Sequence, residues 1–369
     1  MSLLLNRFVK TVMFCTANLF FLWNLGVLAE EIDTTELFTA TEKITKHDNT
    51  IPRWVFDFRQ SEKTKDGKWS KCRLPKGFDI STDSKFSNLL IRKYSISVSR
   101  QFFGCELKAM YNKILNANPQ LKTIYIVDLR QEPHLFLDGI PVSYRTPRGR
   151  HTVGLNNTEQ VKAKEGELSK SIKSGMAINR AGKSFSGECD RSLGICENDR
   201  EYKLLKTAVV QREEEIISDS SILPKGIKVV YKRFPVTDHS PALFKQVEDY
   251  FNFLKTVDFE NSHIHLHCKG GKGRTMTFLS MVEKYLSPNV KIDQILKQQY
   301  EAFGRLNLVY HAKNNWKNCL AFRRYNALKC LDKLKIIDVS PSKKDFTGMP
   351  EVKKCWEAQY NDDINWENC

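Results

Sequence analysis

The sequence has no group of histidine, cysteine and carboxylate residues at metal-ligand spacing, and no basic helix with interleaved aromatic side chains. The first absence argues against a metal centre, and the second argues against a nucleic-acid-binding protein. Acidic residues are also too few to balance the basic ones: 43 Asp and Glu against 58 Lys and Arg give a net charge of +15. This charge points to an anionic partner, such as a lipid surface or a phosphorylated substrate. With 41% apolar and 27% charged residues, the chain can bury a core, which excludes intrinsic disorder.

The first residues are predicted to be a signal peptide. Arg7 and Lys10 precede an apolar stretch over residues 12–28, and Val27-Leu28-Ala29 fits the small-residue rule for signal-peptidase cleavage. We expect residues 1–29 to be removed and the chain to be periplasmic or secreted. A membrane anchor over residues 12–28 is the alternative, although the run is short for a bilayer.

Export would place the cysteines in a compartment where disulfides can form. Removal of Cys15 with the signal peptide leaves nine of the ten cysteines, which allows four disulfides and one free thiol in an oxidising compartment. Cys189 and Cys196 flank a short polar loop and could pair. Cys319 and Cys330 lie in one predicted helix and are too far apart along it to bridge each other.

Composition divides the rest of the chain into segments. Residues 145–205 are basic and rich in Gly and Ser, which predicts an insertion or a small subdomain. The remaining predicted segments are a loose N-terminal segment over 30–50, a main core over 51–144 and 206–340, and a C-terminal extension over 341–369.

Strands and helices alternate in the predicted core. The β-branched and aromatic runs 123–128 and 226–234, and the alternating run 263–267, are typical of strands. The predicted helices begin with one that Ser240 caps, followed by 275–286, 291–302 and 315–335. This alternation indicates an α/β sheet with helices on its faces.

The clearest chemical signal lies between a predicted strand and a predicted helix, in His267-Cys268-Lys269-Gly270-Gly271-Lys272-Gly273-Arg274-Thr275. A cysteine, five residues and an arginine at such a place form a cradle for a phosphate dianion. The glycines Gly270, Gly271 and Gly273 let successive N–H groups point inward. The positive end of the following helix adds to the field.

Each residue of this phosphate loop (residues 268–274) and its flanks has a predicted role. Cys268 is the candidate nucleophile, because the positive loop favours its thiolate. The planar fork of Arg274 can hold two phosphate oxygens at once. His267 should help to hold the loop, and the Thr275 hydroxyl can donate to the sulfur.

A second loop supplies a proton donor. Asp238 lies in Val236-Thr237-Asp238-His239-Ser240-Pro241, ahead of a predicted helix. It is the candidate general acid for the leaving group and then the base for the attacking water. His239 could steady the leaving oxygen or bind a neighbouring phosphate. His263 and His265 alternate with core residues, so we interpret them as packing or hydrogen-bonding groups.

These motifs resemble the protein-tyrosine-phosphatase superfamily, and the wider chain resembles the PTP-like cysteine phytases, which are bacterial inositol polyphosphate phosphatases. Beyond the loop, the resemblance rests on Asp128-Leu129-Arg130-Gln131-Glu132-Pro133-His134, Gly139-Ile140-Pro141-Val142-Ser143, Thr237-Asp238-His239, Phe58-Arg59 with Leu74-Pro75 and Ser81 to Ser87, and Gly304-Arg305-Leu306-Asn307-Leu308 with Trp316 and Arg323 to Tyr325. It covers residues 51–335 and is patchy between 145 and 225.

The resemblance implies a phosphatase-like α/β sheet flanked by helices, with a small extra β-containing subdomain. It implies that Cys268 is the nucleophile, Arg274 the phosphate clamp and Asp238 the acid, with Arg59 and His239 as substrate contacts. Glu132 is expected to orient Arg274 or another member of the loop. No cofactor is implied.

Two lysines distinguish this loop from the family pattern. Lys269 and Lys272 make it similar to the Cys-Lys-x-Gly-Lys-Gly-Arg loop of tensin-type phosphoinositide phosphatases. Their charge suits a ring that bears several phosphates, so we expect hydrolysis of inositol polyphosphates, inositol hexakisphosphate included. A phosphoinositide lipid phosphatase acting at a membrane surface, a dual-specificity protein phosphatase and a non-catalytic phosphate-binding module are the alternatives.

Overall fold

The computed structural model describes residues 53–56, 74–83, 90–137, 139–145, 155, 157–173, 178–179, 189–190, 195–196, 209–303, 316–340 and 343–359. The chain divides into two compact units, one of residues 1–49 with 183–198 and one of 50–182 with 199–369. In the described part of the first unit, β8 (Cys189–Asp190) pairs antiparallel with β9 (Ile195–Cys196), and Cys189 lies opposite Cys196. All other described elements belong to the second unit.

The main sheet of the second unit has five strands in the order β11-β4-β12-β3-β2. β11, β4, β12 and β3 are parallel, and β2 is antiparallel at the edge. The bounds are Asp79–Ile80 for β2, Ser95–Arg100 for β3, Thr123–Arg130 for β4, Lys228–Val236 for β11 and Ser262–Cys268 for β12. β12 is therefore flanked on both sides, and all seven of its residues are buried. The three strands expected from sequence all lie in this sheet.

A smaller sheet has the order β10-β5-β6-β1-β7. Its strands are Arg53–Phe56 (β1), His134–Leu137 (β5), Ile140–Arg145 (β6), Ile178–Asn179 (β7) and Val210–Gln211 (β10). This sheet is the small extra β-containing part that the resemblance implied. A hairpin of β13 (Lys335–Ser340) and β14 (Lys343–Thr347) follows near the C-terminal end of the described chain.

Eight α-helices occur in the described residues: α1 Gly104–Ala117, α2 Thr158–Lys173, α3 Glu213–Ile217, α4 Phe244–Lys255, α5 Gly273–Leu286, α6 Ile292–Phe303, α7 Trp316–Cys330 and α8 Met349–Glu357. Short 3-10 turns cover Leu90–Lys93 and Leu331–Lys333. A mostly parallel sheet with flanking helices confirms the expected fold class.

Two predicted helix boundaries are wrong. The helix expected to start after Ser240 begins at Phe244, because residues 237–240 form a turn in which the Ser240 N–H donates to Thr237 O at 3.2 Å. The helix expected over 315–335 ends at Cys330, and the apolar residues beyond it form β13. Strand alternation and helical spacing coincide over so short a run, which explains the error.

The larger apolar cluster packs α4, α5, α6 and α7 on the main sheet, and it also takes in the buried side chains of Val352 and Trp356 from α8. Cys330 of α7 forms a disulfide with Cys355 of α8, with a Cα–Cα distance of 5.6 Å. A smaller cluster around α1 covers the other face, through residues such as Ile124 and Ile126 of β4. Within the described part of the chain, no helix has the length and apolarity needed to cross a bilayer. The predicted signal peptide or anchor, residues 1–29, lies outside the described residues, as does Arg59.

Candidate active site

The phosphate loop joins the carboxyl end of β12 to the start of α5. Cys268 is the last residue of β12, is 3% exposed and carries a free thiol. α5 begins at Gly273. Carboxyl ends of parallel strands form the usual ligand crevice of open α/β sheets, and a helix N-terminus attracts anions. The sequence-predicted nucleophile is therefore placed where both features meet.

The end of β3 supports this loop from below. Gly271 has a left-handed φ of +65°, and a Cβ there would lie 2.6 Å from the carbonyl oxygen of Ser99. Only glycine fits such a position. The Gln101 N–H donates to the Lys269 carbonyl at 3.3 Å. Lys272 is exposed and Lys269 is half-buried, so both lysines stand at the rim of the loop.

Arg274 is buried and is oriented by Glu132, as expected from the sequence. Its two terminal nitrogens contact the two Glu132 oxygens at 2.6 and 2.9 Å, and Nη1 also donates to Val236 O at 3.1 Å. Burial acts to raise the pKa of Glu132, but the charges of Arg274 and Arg130 outweigh it and lower this pKa to about 2. The carboxylate therefore stays ionised and fixes the guanidinium at the loop.

Asp238 is drawn to the same arginine. Its Oδ1 lies 3.2 Å from Arg274 Nη2, and its Oδ2 lies 3.4 Å from His239 Nε2. Partial burial acts to raise its pKa, but the charges of Arg274, His239 and Lys269 hold the pKa well below the ordinary aspartate value. The structure thus brings together the nucleophile loop, the clamp and the predicted acid, although 30 residues separate Asp238 from Cys268.

His267 is held by a carboxylate that the sequence did not reveal. Its Nε2 lies 2.7 Å from Glu213 Oε1, and Nε2 of His134 lies 2.6 Å from Glu213 Oε2. All three side chains are fully buried. Glu213 comes from α3, and nothing in its short acidic run Glu213-Glu214-Glu215 marks one member as internal. Glu213 is 54 residues away from His267 in sequence. The role of His267 in holding the phosphate loop stays a prediction.

The same network contains the best candidate for a metal site in the described chain. Ligand atoms of Asp128, Glu213 and His267 lie within 4.8 Å of one another. However, Arg233 Nε donates to Asp128 Oδ2 at 2.5 Å, and its Nη1 contacts Glu165 at 2.9 Å. The Arg233 guanidinium already contacts two carboxylates here, so we interpret the three groups as part of a buried network of charged and polar side chains.

His263 and His265 are hydrogen-bonding groups, as the sequence predicted. Ser95, His263, Ser97, His265 and Ser99 form a continuous chain of hydrogen bonds of 2.7–3.0 Å across β3 and β12. Burial lowers the pKa of His263 to about 3. Both rings are therefore neutral near pH 7. This row of hydrogen bonds fixes the register of β12, the strand that ends in Cys268.

Two predicted contacts are not seen. The buried Thr275 hydroxyl makes no hydrogen bond to any described residue, so its role at the Cys268 sulfur stays a prediction. Arg59 lies outside the described residues. Arg324 of α7 is a buried cation to which the sequence assigned no role: it is 3% exposed, and its Nη1 donates to the His239 carbonyl oxygen. It lies in the run 323–325 that carries part of the resemblance, but the resemblance gave it no function.

Part of the chain matches a known protein family. The sequence model of the PTP-like phytases, described by the words inositol hexakisphosphate, matches residues 127–283. Over these residues the chain is similar to the PTP-like phytase family. The matched region contains the phosphate loop, Asp238, Glu132 and Glu213 but not Arg324.

Solved structures confirm the fold. The PTP-like myo-inositol phosphatase from Mitsuokella multacida, solved in complex with myo-inositol-(1,3,4,5)-tetrakisphosphate, superposes with a TM-score of 0.59 at 20% identity over 80% of this chain and 48% of its own. The tandemly repeated phytase from the same organism gives 0.59 and 20% over 88% of this chain and 49% of its own. A PTP-like phytase from Bdellovibrio bacteriovorus gives 0.51 and 20% over 78% and 90%.

One curated relative is an effector protein. HopD2 of Pseudomonas syringae pv. tomato is 22% identical over 182 residues, which cover 49% of this chain and 36% of the relative. The chain thus spans about half or less of the length of this relative and of the two Mitsuokella multacida chains.

Proposed function

We propose that this PTP-like phytase chain is a phosphoric monoester hydrolase that removes phosphate from inositol polyphosphates through a cysteinyl-phosphate intermediate. One observation carries the proposal: a free cysteine ends a central parallel strand, and the arginine six residues on is clamped by Glu132 within 3.2 Å of Asp238. Nucleophile, phosphate clamp and proton donor are the three groups that the reaction needs.

The first displacement uses the thiolate of Cys268. Its sulfur attacks the phosphorus as the bond from phosphorus to the leaving oxygen breaks. Asp238 gives its proton to that oxygen, so that an alcohol departs rather than an alkoxide. Arg274 and the loop N–H groups donate hydrogen bonds to the oxygens of the transferring phosphoryl group.

The second displacement returns the enzyme to its starting form. The Asp238 carboxylate takes a proton from water, and the water oxygen attacks the phosphorus of the cysteinyl-phosphate. The sulfur–phosphorus bond breaks, inorganic phosphate leaves and Cys268 is again a thiolate. Asp238 is again protonated, so protons and electrons balance over the cycle without a metal or a redox step.

The charge around the loop supports a polyphosphorylated substrate. Arg274 and the loop amides suffice for one phosphate group, and Lys269 and Lys272 add two further charges at the rim. Neighbouring phosphates on a cyclitol ring would contact those charges, whereas a phosphorylated tyrosine has no second phosphate group to contact them. The family description and the structural relative bound to an inositol tetrakisphosphate agree with this substrate class.

The test is a panel of substrates with released phosphate as the readout. Inositol hexakisphosphate, a phosphotyrosine peptide and the Cys268→Ser protein are assayed side by side. We expect turnover of inositol hexakisphosphate well above that of the peptide, and no turnover by Cys268→Ser even though it still binds anions. If the peptide is cleaved as fast as inositol hexakisphosphate, the chain is a protein phosphatase. If the wild type binds phosphate but cleaves nothing, it is a binding module.

The rim lysines equally favour a second candidate, a phosphoinositide lipid phosphatase. The two candidates share the headgroup chemistry and differ in whether the substrate sits in a bilayer. Short-chain soluble phosphoinositides and the same lipids in phosphatidylcholine vesicles separate them. Faster release from vesicles than from any soluble inositol phosphate would support the lipid enzyme and reject the phytase assignment.

A further inference from the structure

Arg324 connects the two loops of the site from beneath. It is contributed by α7 and is 3% exposed. Its Nη1 donates to the backbone carbonyl of His239 in the acid loop (residues 237–240). On the other side, a Cβ built on Gly273 would lie 3.4 Å from Arg324 Nη2. The guanidinium therefore packs against the first turn of α5 and holds the acid loop at the same time.

The carbonyl that Arg324 binds belongs to a strained residue. His239 has a φ of 64°, and it is the one non-glycine with positive φ in the described chain. A residue with a side chain rarely adopts this conformation and keeps it only where its surroundings enforce it. The His239 backbone follows Asp238 directly, so the direction of this carbonyl and the position of the Asp238 carboxylate depend on one turn.

Arg324 also adds charge to the site. Burial lowers the pKa of Arg324 to about 10, with the nearby Arg274 acting in the same direction, while Asp238 and Cys268 oppose the shift. The side chain is consequently cationic near pH 7.

We propose that Arg324 is a positioning residue for the general acid: it fixes the left-handed turn at His239 and so keeps Asp238 facing the phosphate loop. This inference rests on the proposed function and assigns a role to a residue outside the region that matches the family. Because Arg324 contacts the His239 backbone, its effect on the reaction passes through Asp238.

The expected signature is therefore a dependence on the leaving group. An alkyl ester such as inositol hexakisphosphate needs protonation of its leaving oxygen, whereas an aryl ester such as p-nitrophenyl phosphate needs it far less. We expect Arg324→Met to lower kcat for the alkyl ester about 100-fold and for the aryl ester less than about 5-fold, which is the size and pattern of losing a general acid. KM for both esters should change little.

Further variants distinguish a positioning role of Arg324 from a purely structural one. Arg324→Lys keeps the charge but not the planar fork, so it should show the same selectivity with a smaller loss and carries the test if Arg324→Met does not fold. In an Asp238→Asn background, Arg324→Lys should add less than about 3-fold, because residues acting through one group are not additive. Lys329→Met on the same helix, where Lys329 is exposed and 3.1 Å from Asp293, is the matched control and should behave as wild type.

The outcomes are separable. Equal losses on the two esters, or full additivity with Asp238→Asn, would show that Arg324 only supports the fold and would overturn the inference while leaving the proposed function standing. A wild-type chain that cleaves neither ester would defeat the proposed function and this inference together.

Discussion

Asp238 is held as a carboxylate by Arg274, yet a general acid must carry a proton. The ion pair at 3.2 Å and the lowered pKa describe the site with Arg274 facing Asp238. A phosphate ester dianion between them would accept the Arg274 hydrogen bonds and place its own negative charge beside the carboxylate. Both changes raise the pKa of Asp238. Substrate binding would therefore prepare the acid.

Asp238→Asn tests this role at the level of one residue. The amide keeps the size of the side chain but cannot give up a proton, so release of poor leaving groups should slow by about 100-fold or more and release of p-nitrophenol only slightly. The measurement is kcat for the two kinds of ester at one pH. Equal losses on both would remove Asp238 as the acid.

Lys269 and Lys272 are predicted to act through charge alone. Changing both to Ala should raise KM for inositol hexakisphosphate several-fold at low salt, and the difference from wild type should narrow near 0.5 M salt as screening increases (Debye length about 4 Å). KM for a singly phosphorylated aryl ester should change much less. Lys297→Ala, an exposed lysine on α6, is the control; an unchanged KM in the double variant would show both loop lysines to be bystanders.

Among the elements, the contact between α5 and α6 contains a buried acid that plays no part in the chemistry. Glu283 is fully buried, and its Oε1 accepts from Gln299 Nε2 at 2.7 Å. Burial raises the pKa of Glu283 to about 8. The folded protein therefore holds a proton on Glu283 that the unfolded chain releases above about pH 4.5.

This proton makes stability depend on pH. The free energy of unfolding should fall as pH rises from about 4.5 to about 8, because over that window only the unfolded chain ionises Glu283. Glu283→Gln imitates the protonated acid, so it should match wild type near pH 5 and exceed it at pH 8 by on the order of 3 kcal/mol. Urea unfolding at both pH values measures this. The exposed Glu301→Gln is the matched control, and a gain of equal size at both pH values would contradict the prediction.

The sequence predicted some secondary-structure elements and some site residues but not others. The buried strands and α5 were predictable because local signals mark them: the spacing of apolar residues, and the glycine-rich loop between β12 and α5. The end of α7 and the start of α4 were not, because tertiary packing set them. Cys268, Arg274 and Asp238 lie in local motifs, and Glu132 followed from the resemblance. Glu213 contacts His267 from a distant helix, and a single acid in an acidic run carries no pattern that marks it as internal. Arg324 lies in the run 323–325 that carries part of the resemblance, but the resemblance gave it no role.

For the whole molecule, α8, the last described helix, is tied to the segment that follows the acid loop. The Trp356 indole N–H donates to the Ala242 carbonyl at 2.7 Å, and its side chain is buried in the main core. The Cys330–Cys355 disulfide fastens the same helix to α7, which carries Arg324. The disulfide thus links α7 and α8, the two helices that contact the acid loop and the segment after it.

The disulfide should matter for stability more than for chemistry. Its half-cystines are 25 residues apart in sequence, a loop for which cross-linking typically contributes about 3 kcal/mol. The double variant Cys330→Ala, Cys355→Ala should unfold at correspondingly lower urea while kcat at low temperature stays within about twofold of wild type. A loss of kcat without a loss of stability would contradict this and would mean that the link shapes the acid loop directly.

Sulfur in this protein must exist in two oxidation states at once. In the proposed mechanism the free Cys268 reacts only as a thiolate, whereas Cys330 and Cys355 form a disulfide that links α7 to α8. A mild oxidant would inactivate the first without touching the fold, and a strong reductant would rescue the first while loosening the helices around it. Activity plotted against reductant concentration should therefore rise and then fall, and its maximum marks the redox window in which the molecule works.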